Sequence, residues 1–276
     1  MKNKPLISIV TVCLNNAKEL EKTILSVKNQ DYEFKEHIII DGGSVDETIN
    51  VINKYKDDIS YWVSEKDNGI YDAMNKGILK SSGELINFLN AGDCYYDNNI
   101  LSIISKNYEK LKNPGIIYGL SENFSIKENI KYISGAKINE SNLWKGMPIC
   151  HQSLFFNKKI FEDIGLYDLN YKNMADYEFL LRFIKNEIKN KYELFFINKP
   201  LSIFILFGES DKNYLKNLNE IILISKRYFN FNFKKILYFK IKYYKYYLLI
   251  LMKIVGINKL YRKLKYNLFF KTKNKY

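Results

Sequence analysis

Along the first ninety positions, short apolar runs alternate with stretches of helical period. Leu6 to Cys13 is an almost unbroken apolar run rich in Ile and Val, which predicts a buried strand. Asn16-Ala-Lys-Glu19 then supplies a cap signature for a helix to about Asn29. His37-Ile-Ile-Ile-Asp41 predicts a second buried strand, Gly42-Gly43 a turn, and Ser44-Val-Asp-Glu47 a second cap signature for a helix through about Tyr55. A third strand is expected at Ser60 to Ser64 and a helix from Gly69 to Leu79, with Ile70, Met74 and Ile78 on one face. The fourth strand, Leu85 to Leu89, runs into Asn90-Ala-Gly-Asp93. Strands alternating with helices at this rhythm predict a parallel sheet with right-handed crossovers, an α/β nucleotide-binding half over residues 1–97.

Beyond residue 97 the rhythm changes. A helix is expected from Asn98 to Tyr108, a short strand at Gly115 to Tyr118 and an edge hairpin within Glu122 to Ile133. A loop from Trp144 to His151 leads to a strand at Ser153 to Phe156, a helix from Met174 to Lys185 and a strand at Leu194 to Ile197. Residues 98–210 are assigned the acceptor side of the same catalytic domain.

Charge separates the rest. The chain carries +13, yet residues 213–276 hold 16 basic residues and a single acid, Glu220, which leaves 27 basic against 29 acidic residues in 1–212. A near-neutral domain, 1–210, is therefore followed by a basic, aromatic extension, 211–276, expected to be mainly helical. Lysines there interleave with Tyr, Phe, Leu and Ile, so a helix would have a basic side and an apolar side suited to the interface of an anionic membrane. Packing on the domain with a solvated basic face is the alternative; nucleic acid ranks last, because Arg227 and Arg262 are the only arginines in the segment. Cys13, Cys94 and Cys150 lack disulfide spacing and are read as free thiols of a reducing compartment. The apolar run at the N-terminus is too short for a signal peptide, and no run reaches spanning length, so a cytoplasmic, membrane-peripheral location is expected.

Three acids stand where a sheet protein exposes reactive groups. Asp41 ends the second strand, Asp93 follows the fourth, and Asp176 opens a helix. Each is equally open to a turn or cap role. A P-loop is absent, and no Gly-x-Gly-x-x-Gly follows the first strand, which argues against ATPase and dinucleotide chemistry.

Six blocks in order give the chain a resemblance to the family 2 glycosyltransferases. They are Ser8 to Asn15, Ile40 to Thr48, Ser64 to Gly77, Leu89 to Asp93, His151-Gln152 and Asp176 to Arg182. The third, with Asp-Asn-Gly-Ile-Tyr-Asp-Ala-Met-Asn-Lys-Gly, most resembles bacterial enzymes of surface-polysaccharide synthesis. The resemblance implies a GT-A fold, a Rossmann-like mixed sheet flanked by helices. It also implies an inverting, metal-dependent transfer of sugar from a nucleotide-sugar, usually UDP-linked, to a hydroxyl of a glycan or lipid-linked saccharide. Asp41 matches the acid that meets the nucleotide base, Asp93 the ligand of Mn²⁺ or Mg²⁺ under the diphosphate, and Asp176 the general base. The acidic cluster usual before Asp93 is thinned to Asn90-Ala-Gly, so His151 becomes a candidate further ligand, with a hydrogen-bonded loop histidine as the alternative. Asn15 and Asp67 are candidates for the nucleotide pocket, with Leu14 where many relatives carry an aromatic. Lys76 either meets the diphosphate or is a solvated helix residue. Arg182 is assigned a structural or ion-pair role, and Tyr71 and Trp144 are read as packing residues, with a sugar platform near the acceptor loop as the alternative. The rival readings are a sugar-phosphate nucleotidylyltransferase, which would want a Gly-rich basic loop after the first strand, and a non-catalytic member of a membrane-bound assembly.

Overall fold

The structure is a computed structural model and describes residues 4–125, 130–206 and 213–255. The first half follows the expected alternation: β1 (Ile7–Cys13), α1 (Ala17–Lys28), β2 (Lys35–Asp41), α2 (Thr48–Lys54), β3 (Tyr61–Ser64), α3 (Ile70–Lys80) and β4 (Leu85–Phe88). These four strands run parallel in the order β3-β2-β1-β4. Helix α2 begins at Thr48 rather than at the cap expected at Ser44, because Ser44 turns back and donates its hydroxyl to Asp41. Asp46 accepts from the Thr48 backbone and hydroxyl instead.

The second half is mixed. It comprises β5 (Cys94–Tyr95), α4 (Ile100–Lys110), β6 (Pro114–Ser125), β7 (Ile130–Ser134), β8 (Leu154–Asn157), α5 (Lys158–Ile164), α6 (Ala175–Lys185) and β9 (Glu193–Leu206). Strand β8 lies antiparallel between β4 and β6; β9 runs parallel to β6 along its whole length, and β5 closes the path antiparallel to β9. The short strand and the first arm of the expected hairpin are one strand, β6, with β7 as the returning arm. Strand β9 continues nine residues past the expected Ile197, because a register shift opposite Gly119 and Leu120 lets Pro200 sit at an irregularity rather than within a regular ladder.

One core lies between the sheet and α3, α5 and α6, built from residues such as Val10, Ile86, Phe156, Phe161 and Phe179. A second lies on the opposite face, where Ile100, Leu101 and Ile104 of α4 meet Ile7, Leu85 and Phe155. The basic segment supplies α7 (Tyr214–Tyr228) and α8 (Phe233–Ile254). Ile224 of α7 belongs to the first core, and Tyr177 of α6 reaches both the Leu143 carbonyl and Ser225 Oγ. Packing on the domain therefore includes residues beyond 210. Helix α8 lies further out, its Phe239 and Tyr238 packed edge-on against Trp144.

Candidate active site

The carboxyl ends of β1, β2 and β3 converge on a loop cluster held by one buried acid. Asp41 accepts from the Gly43 and Ser44 amides at 3.1 and 2.8 Å, from the Ser64 hydroxyl at 2.6 Å and from the Ser44 hydroxyl, with Cys13 Sγ 3.5 Å away. Burial pushes this carboxyl upward, but the Ser44 and Ser64 hydroxyls and the Ser44 amide outweigh it and hold the group below the usual carboxylate range. Both oxygens are thus occupied in shaping the turn 41–44. The same turn fixes Asn15, whose amide donates to Ser44 Oγ at 2.7 Å and whose side chain accepts from the Val45 amide at 2.9 Å. Asn15 has φ of 48°, a left-handed conformation that Asn tolerates better than most side chains. Asp67 caps Gly69 N–H at 2.8 Å and lies over Gly42, where a Cβ would come within 2.6 Å of Asp67 Oδ2. With exposed Leu14, these residues form an open, polar-rimmed floor. Lys76 turns toward this loop rather than solvent: it pairs with Glu65 at 2.7 Å and donates to the Lys66 carbonyl.

Asp93 sits five residues past the end of β4, in a tight turn where its amide donates to Asn90 O and Gly92 adopts φ of 102°. Thr23 of α1 anchors the turn by donating to Asp93 O, and the Gly92 amide donates to the Thr23 hydroxyl. Burial pushes the Asp93 carboxyl up to about 7, opposed by a 2.7 Å hydrogen bond from Gln152 Nε2. Asn90 Oδ1 is buried without a hydrogen-bond partner. An orphaned amide oxygen in the same turn as an acid is a donor set suited to a hard cation. Among the described residues no group of three His, Cys, Asp or Glu comes together as a metal cage.

His151 has the hydrogen-bonded surroundings of the alternative reading. Its Nε2 lies 2.8 Å from the Tyr167 hydroxyl and its ring stacks on Phe88 at 5.0 Å; burial lowers its pKa. The side chain that reaches Asp93 is its neighbour, Gln152. Tyr167 in turn packs against Tyr71 at 5.5 Å, and the Tyr71 hydroxyl lies 2.9 Å from Asp176 Oδ1 and 3.0 Å from the Asn173 carbonyl, so one proton serves both. A run of contacts thereby leads from Asp176 through Tyr71 and Tyr167 to His151, whose neighbour Gln152 holds Asp93. Arg182 holds the Ile164 and Leu166 carbonyls and pairs with Glu178, fixing the loop that carries Tyr167.

The model of glycosyl transferase family 2 matches residues 8–165. The chain belongs to this family. An uncharacterized glycosyltransferase of Mycobacterium tuberculosis is 31% identical over 199 residues, covering 66% of this chain and 70% of that one. A PGL/p-HBAD biosynthesis glycosyltransferase of Mycobacterium bovis is 29% identical over 185 residues, 66% of this chain and 71% of its own. In three dimensions the family 2 chain resembles the mannosyltransferase PcManGT of Pyrobaculum calidifontis, solved with GDP-Man and Mn²⁺, at a TM-score of 0.62 and 16% identity over 86% of this chain and 69% of that one. TarS 1–349 of S. aureus, solved with UDP-GlcNAc, superimposes at 0.60 with 13% identity over 79% and 66%. The match spans 38% of a longer TarS chain. The fold is thus GT-A, as the sequence blocks imply. Asp176 lies beyond the family match, so its position is known from this structure rather than from that alignment.

Sequence reasoning left three polar contributors without a role: Gln152, Tyr167 and Glu220. Gln152 stands beside a flagged histidine. The partners of the other two lie far along the chain and carry no local signal. Tyr71, set aside as a packing residue, is indeed buried, yet its hydroxyl meets the candidate base.

Proposed function

We propose that the chain transfers a sugar from a nucleoside-diphosphate donor, UDP-linked in the first instance, to a hydroxyl of a glycan or lipid-linked acceptor, with inversion at the anomeric carbon. The observation that carries this reading is the link between Asp93 and Asp176 through Gln152 and through His151, Tyr167 and Tyr71. That both acids are tied to the same two-residue segment supports their belonging to one site.

Asn15, Asp67 and the turn braced by Asp41 form the floor for the nucleoside, and Lys76 steadies its rim through Glu65. Asp93 and the Asn90 side-chain oxygen are the groups that would hold a divalent cation, which would neutralise charge on the departing diphosphate. Gln152 orients the Asp93 carboxylate, and His151 belongs to the acceptor side through Tyr167. On that side Tyr71 engages Asp176 Oδ1, leaving Oδ2 to take the proton of the acceptor hydroxyl as its oxygen attacks the sugar carbon. One base opposite the leaving group suffices for single displacement.

The test is nucleoside diphosphate release from a panel of nucleotide sugars, with Mn²⁺, Mg²⁺ or EDTA. Slow metal-dependent hydrolysis that Asp93→Ala abolishes is expected. With the acceptor added, Asp176→Asn should lose transfer on the order of 10³-fold, the scale of a general base. Full transfer by Asp176→Asn removes the assignment of the base, and donor release by none of the nucleotide sugars removes the enzyme reading.

A further inference from the structure

Helix α8 has two unlike faces. The inner one is aromatic: Phe239 is buried, Tyr246 stacks on Tyr214 of α7, and Tyr238 packs on Trp144. The outer one carries Phe233, Leu237, Ile241, Tyr244, Leu251 and Ile254, which recur at three-, four- or seven-residue spacing over six turns and are exposed, Phe233 at 78% and Ile254 at 76%. Single exposed apolar residues are ordinary; a continuous stripe on one helix is not. Lys240 falls within the stripe and Lys234 and Lys245 border it, all three exposed, and α8 holds six lysines and no acid. Lysine stems can lie along apolar surface while their ammonium groups reach outward to phosphate.

We propose that this outer face of α8 docks on a bilayer carrying anionic lipid. Two other occupants fit the charge poorly. A second copy of the chain would bring two lysine-lined stripes together, and residues 256–276, with seven basic residues and no acid, would do the same. No helix among the described residues is long and apolar enough to cross a membrane, so the helix lies in the interface plane. The inner face of the helical pair bears on the reaction. Glu220 of α7 accepts from the Lys172, Asn173 and Met174 amides, the residues leading into Asp176. The pair that would touch lipid thus also holds the base loop. Resting on the reaction proposed above, this places the accepting hydroxyl on a molecule anchored in the same bilayer.

The experiment is flotation of the full chain with phosphatidylcholine vesicles, with and without phosphatidylglycerol, alongside release of nucleoside diphosphate in lipid-free solution. The wild type should float with anionic vesicles only. Replacing Leu237, Ile241 and Leu251 together by Gln should abolish flotation while solution hydrolysis and circular dichroism stay unchanged. Replacing Lys234, Lys240 and Lys245 together by Gln should weaken binding on the order of a hundredfold at low salt. The proposal is overturned if the wild type fails to float, if the apolar variant floats as well as wild type, or if that variant only converts a dimer to a monomer on gel filtration. Lipid-dependent flotation by a chain that hydrolyses no donor would leave the surface standing and remove the reaction instead.

Discussion

Asp93 is the residue whose chemistry depends most on what surrounds it. With its carboxyl pushed up to about 7 against an ordinary 3.8, the metal-free native state keeps its proton where the unfolded chain has lost it. The contribution is full below pH 3.8 and is lost as pH rises toward 7, at about 1.4 kcal/mol per unit. His37, buried and lowered to about 3, acts in the opposite sense, losing stability as pH falls below 6.5. Raw pH curves therefore blend the two. Urea unfolding of wild type and Asp93→Asn in EDTA should isolate the acid: the variant gains on wild type steadily from pH 4 to pH 7. Gly42 offers a second residue-scale test. A methyl group there meets Asp67 Oδ2 at 2.6 Å, so Gly42→Ala should displace that carboxylate and raise the donor KM on the order of tenfold, with thermal stability moved little.

At the scale of elements, helix α3 lies unusually close to β1, because Gly77 presents no side chain to Val10. A Cβ would come within 2.3 Å of Val10 Cγ1, so Gly77→Ala should destabilise by about 1–3 kcal/mol. Val10→Ala should relieve part of that loss, giving a double-mutant coupling of opposite sign to the single effects. Helix α7 provides another test. Glu220→Ala strips acceptors from three consecutive amides ahead of Asp176, and the expected result is loss of kcat for transfer with donor hydrolysis nearly intact. The elements differ in how readable they were. Strands β1, β2 and β4 are buried throughout or nearly so and announce themselves as apolar runs, β2 ending at Asp41 and β4 shortly before Asp93. Strand β9 was seen only to Ile197, since Lys199 and Pro200 interrupt its pattern and only the pairing with β6 reveals that it continues. The candidate metal role of His151 rests on the thinned acidic cluster before Asp93, whereas its packing neighbours, Phe88 and Tyr167, are set by tertiary contacts that leave no local signal.

For the whole molecule, the charge boundary near residue 212 and the packing boundary do not coincide. Ile224 and Ser225 are fully buried and Leu218 nearly so, whereas much of α8 beyond Phe239 is exposed. A chain ending at residue 212 should therefore fail to fold cooperatively, while one ending at residue 230 should unfold in a single transition a few degrees lower, measured by circular dichroism. Closure of the sheet has a further consequence. The strand that follows Asp93 finds its partner only at Ser202 and Ile203, so the acid-bearing turn lacks one wall until that late segment arrives. During ribosomal synthesis the reactive end of the sheet is among the last parts to be completed. A prematurely released fragment would thus carry the candidate nucleotide floor without the strand pairing that completes the Asp93 turn.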